Sequence, residues 1–226
     1  MNIGVWKTLF KSLRCYDEAI LTTSSDKSLS INAQSKHGCV FAELRFDGDT
    51  FPSDITFSAN PKQLYDRLAL FGENSKVNMC CIGRSLYIAS ELSGNLLRCK
   101  LCDAKEEVML LRQPILCFEV NLTVDSVVLD VIDRAIFLGY GELRLTTLSD
   151  ELTISFGEND ICYYSKQQTA LCEVDITLCA RRMRDALALS NCESVVLSLG
   201  KGLPVKVCHS YSSLSAVVYV APLAKS

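Results

Sequence analysis

Several things this sequence has little of narrow what it can be. No stretch reaches about 18 apolar residues, the length a helix needs to span a bilayer. The most apolar helical segment, residues 126–139, is broken by Asp130, Asp133 and Arg134. Glycine (11) and proline (5) are too few for a fibrous or linker-rich protein. The first residues, MNIGVWKTLFKSLR, lack the apolar core of about 7–15 residues and the small-residue cleavage site of a secretory signal, so none is expected. The formal net charge is only −3, so any contact with nucleic acid has to come from local charge patterning.

Catalytic and metal-binding signatures are equally thin. Cys99 and Cys102 have zinc spacing, but a structural site wants a second pair or two histidines, and the only histidines are His37 and His209. In a regular strand those two cysteines would also point to opposite faces. Packed thiols are therefore the expected reading, for Cys80 and Cys81 as well, and no metal or cofactor is called for. There is no Gly-x-Ser-x-Gly and no cysteine with a convincing histidine partner. His209 falls in an alternating strand and reads as structural. Asp130 and Asp133 read as a solvated acidic helix face. Gly200, Lys201 and Gly202 form a turn without the frame of a phosphate loop.

What is present is a globular composition: 226 residues, 49% hydrophobic and 22% charged. That suits one large domain or two of about 110 residues. The 12 cysteines are scattered through apparent strands and helices. Without a signal they are expected to be free thiols in a reducing compartment, cytosol or nucleus.

Periodicity gives the order of elements. Residues 5–15 predict a helix, with Trp6, Leu9, Phe10 and Leu13 on one face and Lys7, Lys11 and Arg14 on the other. Strands are expected over 18–23, 28–34, 39–46 and 54–58. Asn60 and Pro61 open a second helix, carrying Leu64, Leu68 and Phe71 inward. Strands over 76–82, 85–91 and 95–102 complete the first half. Residues 103–114 differ in composition, charged and then apolar through Val108, Met109, Leu110 and Leu111, and read as a connector. The pattern then repeats. A strand is expected over 115–122, a helix over 123–138 with Thr123 as N-cap, and strands over 142–147, 151–156, 161–166 and 170–175. A helix over 178–189 and strands over 195–199, 203–210 and 213–221 close the chain. Leu64 and Met183 stand 119 residues apart, as do Glu91 and Ser210. A period this long signals duplicated domains, not a solenoid of about 20–50-residue units. The expected domains are 1–102 and 115–226, joined by 103–114, each an α+β layer with two helices on one face of antiparallel sheet.

The remaining signal is basic helices on a mildly acidic chain: Lys7, Lys11 and Arg14 on the first, Lys62 and Arg67 on the second, Arg181, Arg182 and Arg184 on the fourth. Each alone is a solvated face. Together they suit sequence-independent contact with phosphates. The third helix dissents, with Arg134 set against Asp125, Asp130 and Asp133.

This organisation resembles the eukaryotic DNA sliding clamps. The ending PVKVCHSYSSLSAVVYVAPLA is similar to their closing hairpin, and NLTVDSVVLDVIDRAIFLG followed by ELRLTTLSDELTISFGE resembles the start of their second domain. Within the family, LYDRLALFGEN, CKLCDAKEE and ISFGENDICYYSKQQT resemble the Rad-type subunit of the heterotrimeric nine-one-one checkpoint clamp more than the replicative homotrimer, proliferating cell nuclear antigen. A nuclease is a third reading, for which no metal-binding carboxylate cluster is found. The resemblance implies a nuclear, non-enzymatic ring subunit. Its helices would line a hole around duplex DNA, with Lys7, Lys11, Arg14, Lys62, Arg67, Arg181, Arg182 and Arg184 facing it. Rings would close through Leu96, Leu97, Arg98, Cys99, Lys100 and Leu101 on one edge and Ile161, Cys162, Tyr163, Tyr164 and Ser165 on the other. Val108 to Leu111 would receive client proteins. The implied partners are two other clamp subunits, an ATP-driven clamp loader, and checkpoint and repair clients. The resemblance also implies a strand ahead of the first helix, for which residues 1–4 leave little room.

Overall fold

A computed structural model of the chain describes residues 3–16, 18–23, 28–35, 38–45, 55–72, 75, 77–92, 95–105, 113–148, 151–164, 173–188, 192–210 and 214–223. The chain divides into two compact units. The first comprises Met1–Ser35, Val40–Gln113 and Ser213–Ser215, and the second Lys36–Cys39, Pro114–Ser212 and Ala216–Ser226.

The first unit opens with helix α1, Ile3–Ser12, which tightens into a 3-10 turn at Leu13–Cys15. Strands β1 (Ala19–Thr23), β2 (Ser28–Ser35), β3 (Gly38–Arg45) and β4 (Thr56–Ala59) follow, then helix α2 (Pro61–Leu68) and strands β5 (Val77–Ile82), β6 (Ser85–Leu92) and β7 (Asn95–Asp103). The second unit runs β8 (Val120–Val124), α3 (Ser126–Phe137), β9 (Glu142–Leu148), β10 (Glu151–Phe156), β11 (Asn159–Tyr164), β12 (Val174–Cys179), α4 (Ala180–Leu187), β13 (Ser194–Leu199), β14 (Val205–Ser210) and β15 (Leu214–Val220).

The duplication is visible in the pairing. One sheet layer runs β4-β1-β2-β3 in the first unit and β12-β9-β10-β11 in the second; the other runs β5-β6-β7 and β13-β14-β15. Helices α2 and α4 begin 119 residues apart and are both eight residues long. Buried Leu86, Ile88 and Ser90 of β6 correspond to buried Val205, Val207 and His209 of β14. In each unit the two helices pack on each other, α1 on α2 and α3 on α4. The apolar stripe drives this: Trp6, Leu9, Phe10 and Leu13 are all buried, and so are Val128, Val131, Ile132 and Ala135 at the same spacing. Each unit is thus α+β, a helix pair against antiparallel sheet.

Four local expectations change. The strand expected over 115–122 begins only at Val120, and Ile115 is fully exposed. Alternation decides this: Val120, Leu122 and Val124 point inward, so the strand continues through Thr123. Thr123 therefore cannot cap the helix. Asp125 does, its Oδ1 accepting the Val127 amide at 2.9 Å. In place of a strand over 170–175, β12 begins at Val174; residues 170–172 lie outside the described set. The helix expected from 178 starts at Ala180, because Leu178 pairs with Leu143 in the sheet. Asn60 behaves as expected, its Oδ1 accepting the Gln63 amide at 3.1 Å ahead of Pro61.

Candidate nucleic-acid interface

The eight helix cations do not form one uniform surface. Lys7 is half-buried, and its ammonium donates to the Phe71 carbonyl at 2.6 Å, tying α1 to the end of α2. The Arg14 guanidinium is exposed but lies over the Tyr65 ring, 5.2 Å from its centroid. Arg67 is half-buried and donates through Nη1 to the Leu101 carbonyl, joining α2 to β7. Arg184 donates from Nε to Asp133 Oδ1 at 3.0 Å and lies 3.7 Å from Asp185. The other four behave differently. Lys11, Lys62 and Arg181 are exposed and Arg182 half-exposed, with no hydrogen bond or ion pair among the described residues. Among the described residues, then, four of the cations have no partner, and four are engaged with a carbonyl, a ring or a carboxylate.

Sequence spacing could not separate these sets. Asp133 and Arg184 lie 51 residues apart and meet only because α3 packs on α4. That pairing also neutralises part of the acidic face of α3. What α3 still presents is exposed Val127, Asp130 and Arg134, ending in Phe137, which is 90% exposed.

The two segments assigned to subunit closure are both sheet edges. β7 ends the β5-β6-β7 sheet, and β11 ends the β11-β10-β9-β12 sheet. On β7, Leu96, Leu97, Arg98 and Lys100 are exposed, Cys99 is half-buried and Leu101 is buried. Lys100 pairs with Asp103 at 2.6 Å; that bond first, and one from Ser85, hold the Asp103 carboxyl below its usual range. On β11, Cys162 is exposed while Ile161 and Tyr163 are half-buried, and burial pushes the Tyr163 phenol up. The backbone of Tyr164 belongs to β11; Ser165 lies outside the described residues, as do the client-docking candidates Val108, Met109, Leu110 and Leu111.

The cysteines need one correction. The β6–β7 register shifts between Leu86 and Tyr87, placing Cys99 opposite Ile88 and Cys102 opposite Leu86. The extra residue of this bulge puts the two cysteines on the same face, where a regular strand would separate them. Cys102 is buried, and desolvation pushes its thiol up to about 12; Cys81, across Leu86, is pushed up to about 11. Both are protonated at neutral pH, the inert state of buried structural cysteines. Among the described residues no three His, Cys, Asp or Glu side chains converge as a metal site. His209 is buried, with Nε2 donating to the Ala186 carbonyl at 2.7 Å and Nδ1 left without a partner among the described residues. Burial lowers its pKa, so it stands neutral beneath the end of α4.

A polar cavity of about 390 Å³ lies in the first unit where α2 meets β7, lined by Asn60, Gln63, Arg67, Lys100 and Asp103 among others. Its residues are the cap of α2, the Arg67 tie and the Lys100–Asp103 pair already described.

No family model matches the chain, and no curated protein does. Solved structures do. Proliferating cellular nuclear antigen from Entamoeba histolytica is 16% identical, with 98% of this chain and 96% of that chain covered at a TM-score of 0.84. A chain of the PCNA2–PCNA3 complex of Sulfolobus tokodaii is 13% identical, with 100% and 98% covered at 0.84. A. fulgidus PCNA, solved with the C-terminal region of FEN-1 bound, is 14% identical, with 100% and 98% covered at 0.85. At these identities the likeness establishes the fold: two duplicated α+β units of the sliding-clamp type, spanning the whole chain.

Proposed function

We propose that this chain is a non-enzymatic subunit of a ring-shaped DNA sliding clamp of the heterotrimeric nine-one-one checkpoint type, acting in the nucleus. The observation that carries the reading is the clamp fold over the full chain, with TM-scores of 0.84–0.85. The free cations on α1, α2 and α4 support a loose, non-specific phosphate contact, which lets a ring slide. The edge strands β7 and β11 support closure by strand pairing with two neighbouring subunits, a use for edges that are otherwise a liability. The FEN-1 segment bound to the A. fulgidus clamp supports client docking, which we assign to Val108–Leu111. A clamp loader and checkpoint and repair clients complete the partner set. The checkpoint assignment rests on the resemblance of residues 64–74, 99–107 and 154–169.

A self-closing replicative ring is the second reading, favoured by the identity of the structural neighbours. The native mass of the purified chain at micromolar concentration separates the two. A heterotrimer subunit stays near its chain mass of 25.0 kDa when alone. A mass three times that value overturns the checkpoint assignment in favour of the self-closing ring.

A further inference from the structure

The duplicated units differ in charge at one place. The polar cavity of the first unit, about 390 Å³, is lined by Gln63 in the first turn of α2, Arg67 in its last turn, and Lys100 and Asp103 of β7. Its volume falls within the range of small-ligand sites. On the 119-residue offset between the units, Arg67, Lys100 and Asp103 correspond to Ala186, Tyr219 and Pro222, none of them charged. The second unit forms the equivalent helix, α4, and the equivalent strand, β15, without these charges. The architecture does not depend on the trio, so its presence in the first unit points to something the cavity holds.

The donors around the cavity are only partly used. Arg67 is half-buried, and its Nη1 donates to the Leu101 carbonyl. That bond fixes the plane of the guanidinium, while the rest of its donor fork makes no hydrogen bond among the described residues. Lys100 pairs with Asp103 at 2.6 Å, but the two side chains are 46% and 63% exposed, and a surface pair of this kind is readily exchanged. Asp103 also accepts from Ser85 Oγ, so its carboxylate keeps a partner when Lys100 turns away. Gln63 is exposed, and its side-chain amide has no partner among the described residues. The Cys102 thiol in the wall is protonated at neutral pH and adds no charge. Glu18, bound to Ser58 at the rim, is matched by Lys105 at 3.1 Å. Two cations against one carboxylate leave the cavity with one positive charge in excess.

We infer that this cavity binds a phosphate monoester, with the Arg67 fork, the Lys100 ammonium and the Gln63 amide donating to its oxygens. Three donor groups on two elements suit a tetrahedral anion with three terminal oxygens. A planar carboxylate would occupy the Arg67 fork and leave the others unmet. The cavity is larger than a phosphate ion, so the ester carries an organic group. The site lies within the first unit and does not rest on the ring reading. Lys100 also falls on the edge assigned to subunit closure, so the test uses the full-length chain alone.

O-phosphoserine is titrated into that chain and followed by the side-chain N–H signals of arginine in ¹H–¹⁵N spectra. The Arg67 signal should shift and saturate, with half-saturation below about 10 mM, as charge-assisted bonds to phosphate predict. Lys100→Gln should weaken binding at least about fivefold, the loss of one such bond. Asp103→Asn should tighten it at least about threefold, because Lys100 is then released to the ligand. Neither exposed substitution should move the melting temperature, so a purely structural trio predicts neither change. A capped peptide carrying phosphoserine distinguishes the source: affinity equal to that of the free amino acid assigns a free ester, and tighter binding assigns a phosphorylated protein segment. Either result supports the phosphate site. Absence of saturation overturns it, as does equal binding of acetate, unchanged affinity in Lys100→Gln, or weaker binding in Asp103→Asn.

Discussion

The division of the eight helix cations into free and tied sets makes a sharp forecast for DNA binding. Replacing Lys11, Lys62, Arg181 and Arg182 with glutamine removes four charges that make no hydrogen bond or ion pair among the described residues. Each phosphate contact contributes about 0.9 to the slope of log affinity against log salt. Losing four per subunit lowers the magnitude of that slope by up to about 3.6. Between 50 and 200 mM salt, a slope change of that size is a difference of about 150-fold in how steeply affinity falls. The assay is a salt titration of duplex binding by the complex assembled on this chain, monitored by fluorescence anisotropy, with the melting temperature as a check on folding. Replacing Lys7, Arg14, Arg67 and Arg184 with glutamine has the opposite signature. It lowers the melting temperature, because Lys7 and Arg67 hold carbonyls and Arg184 holds Asp133, and it leaves the salt slope largely unchanged. If the second set moves the slope as much as the first, the assignment of free and tied cations is wrong. If neither set moves it, these helices do not meet DNA.

Three further outcomes follow from local geometry. Burial lowers the His209 pKa below its ordinary 6.5, so the folded chain keeps it neutral while the unfolded chain takes up a proton. Its stabilising contribution is complete above about 6.5 and falls by up to about 1.4 kcal/mol per pH unit below it. Urea midpoints at several pH values should show that loss in the parent and not in His209→Asn; the same slope in both refutes it. Glu18, whose carboxyl is lowered by Ser58 and Lys105, acts in a separate window below 4.5. Asn60→Ala should cost about 1 kcal/mol by removing the cap of α2, with Asn60→Asp restoring it; equal stability of the two variants contradicts the cap. Gly157→Ala should cost about 1–2 kcal/mol, because Gly157 has φ +61° and a Cβ there would lie 2.5 Å from the Tyr140 ring. An unchanged denaturation midpoint argues against that turn.

Much of the fold is legible because it is written in periods. The i, i+3, i+4, i+7 stripe from Trp6 to Leu13 locates α1, and the Asn60–Pro61 pair marks the start of α2. The 119-residue spacing of Leu64 and Met183 reveals the duplication before any coordinates. What escapes the sequence is whatever depends on meetings between distant segments. Thr123 and Asp125 are both good caps, and only the inward turn of Val124 shows that the strand continues past the first. The β7 bulge, which brings Cys99 and Cys102 to one face, leaves no mark in spacing. Nor does the capture of Lys7 by Phe71 or of Arg184 by Asp133, so eight similar cations conceal two roles.

The central claim is that this chain forms part of a ring that encloses DNA, and topology tests it most directly. The chain, purified with the subunits bound to it, is loaded onto a closed circular duplex of a few kilobases, washed at high salt, and the circle is then cut once. The account predicts retention on the intact circle and release after the cut, because the ring slides off the ends. Equal retention before and after cutting would mean that the protein grips DNA from outside, and the clamp reading would fail.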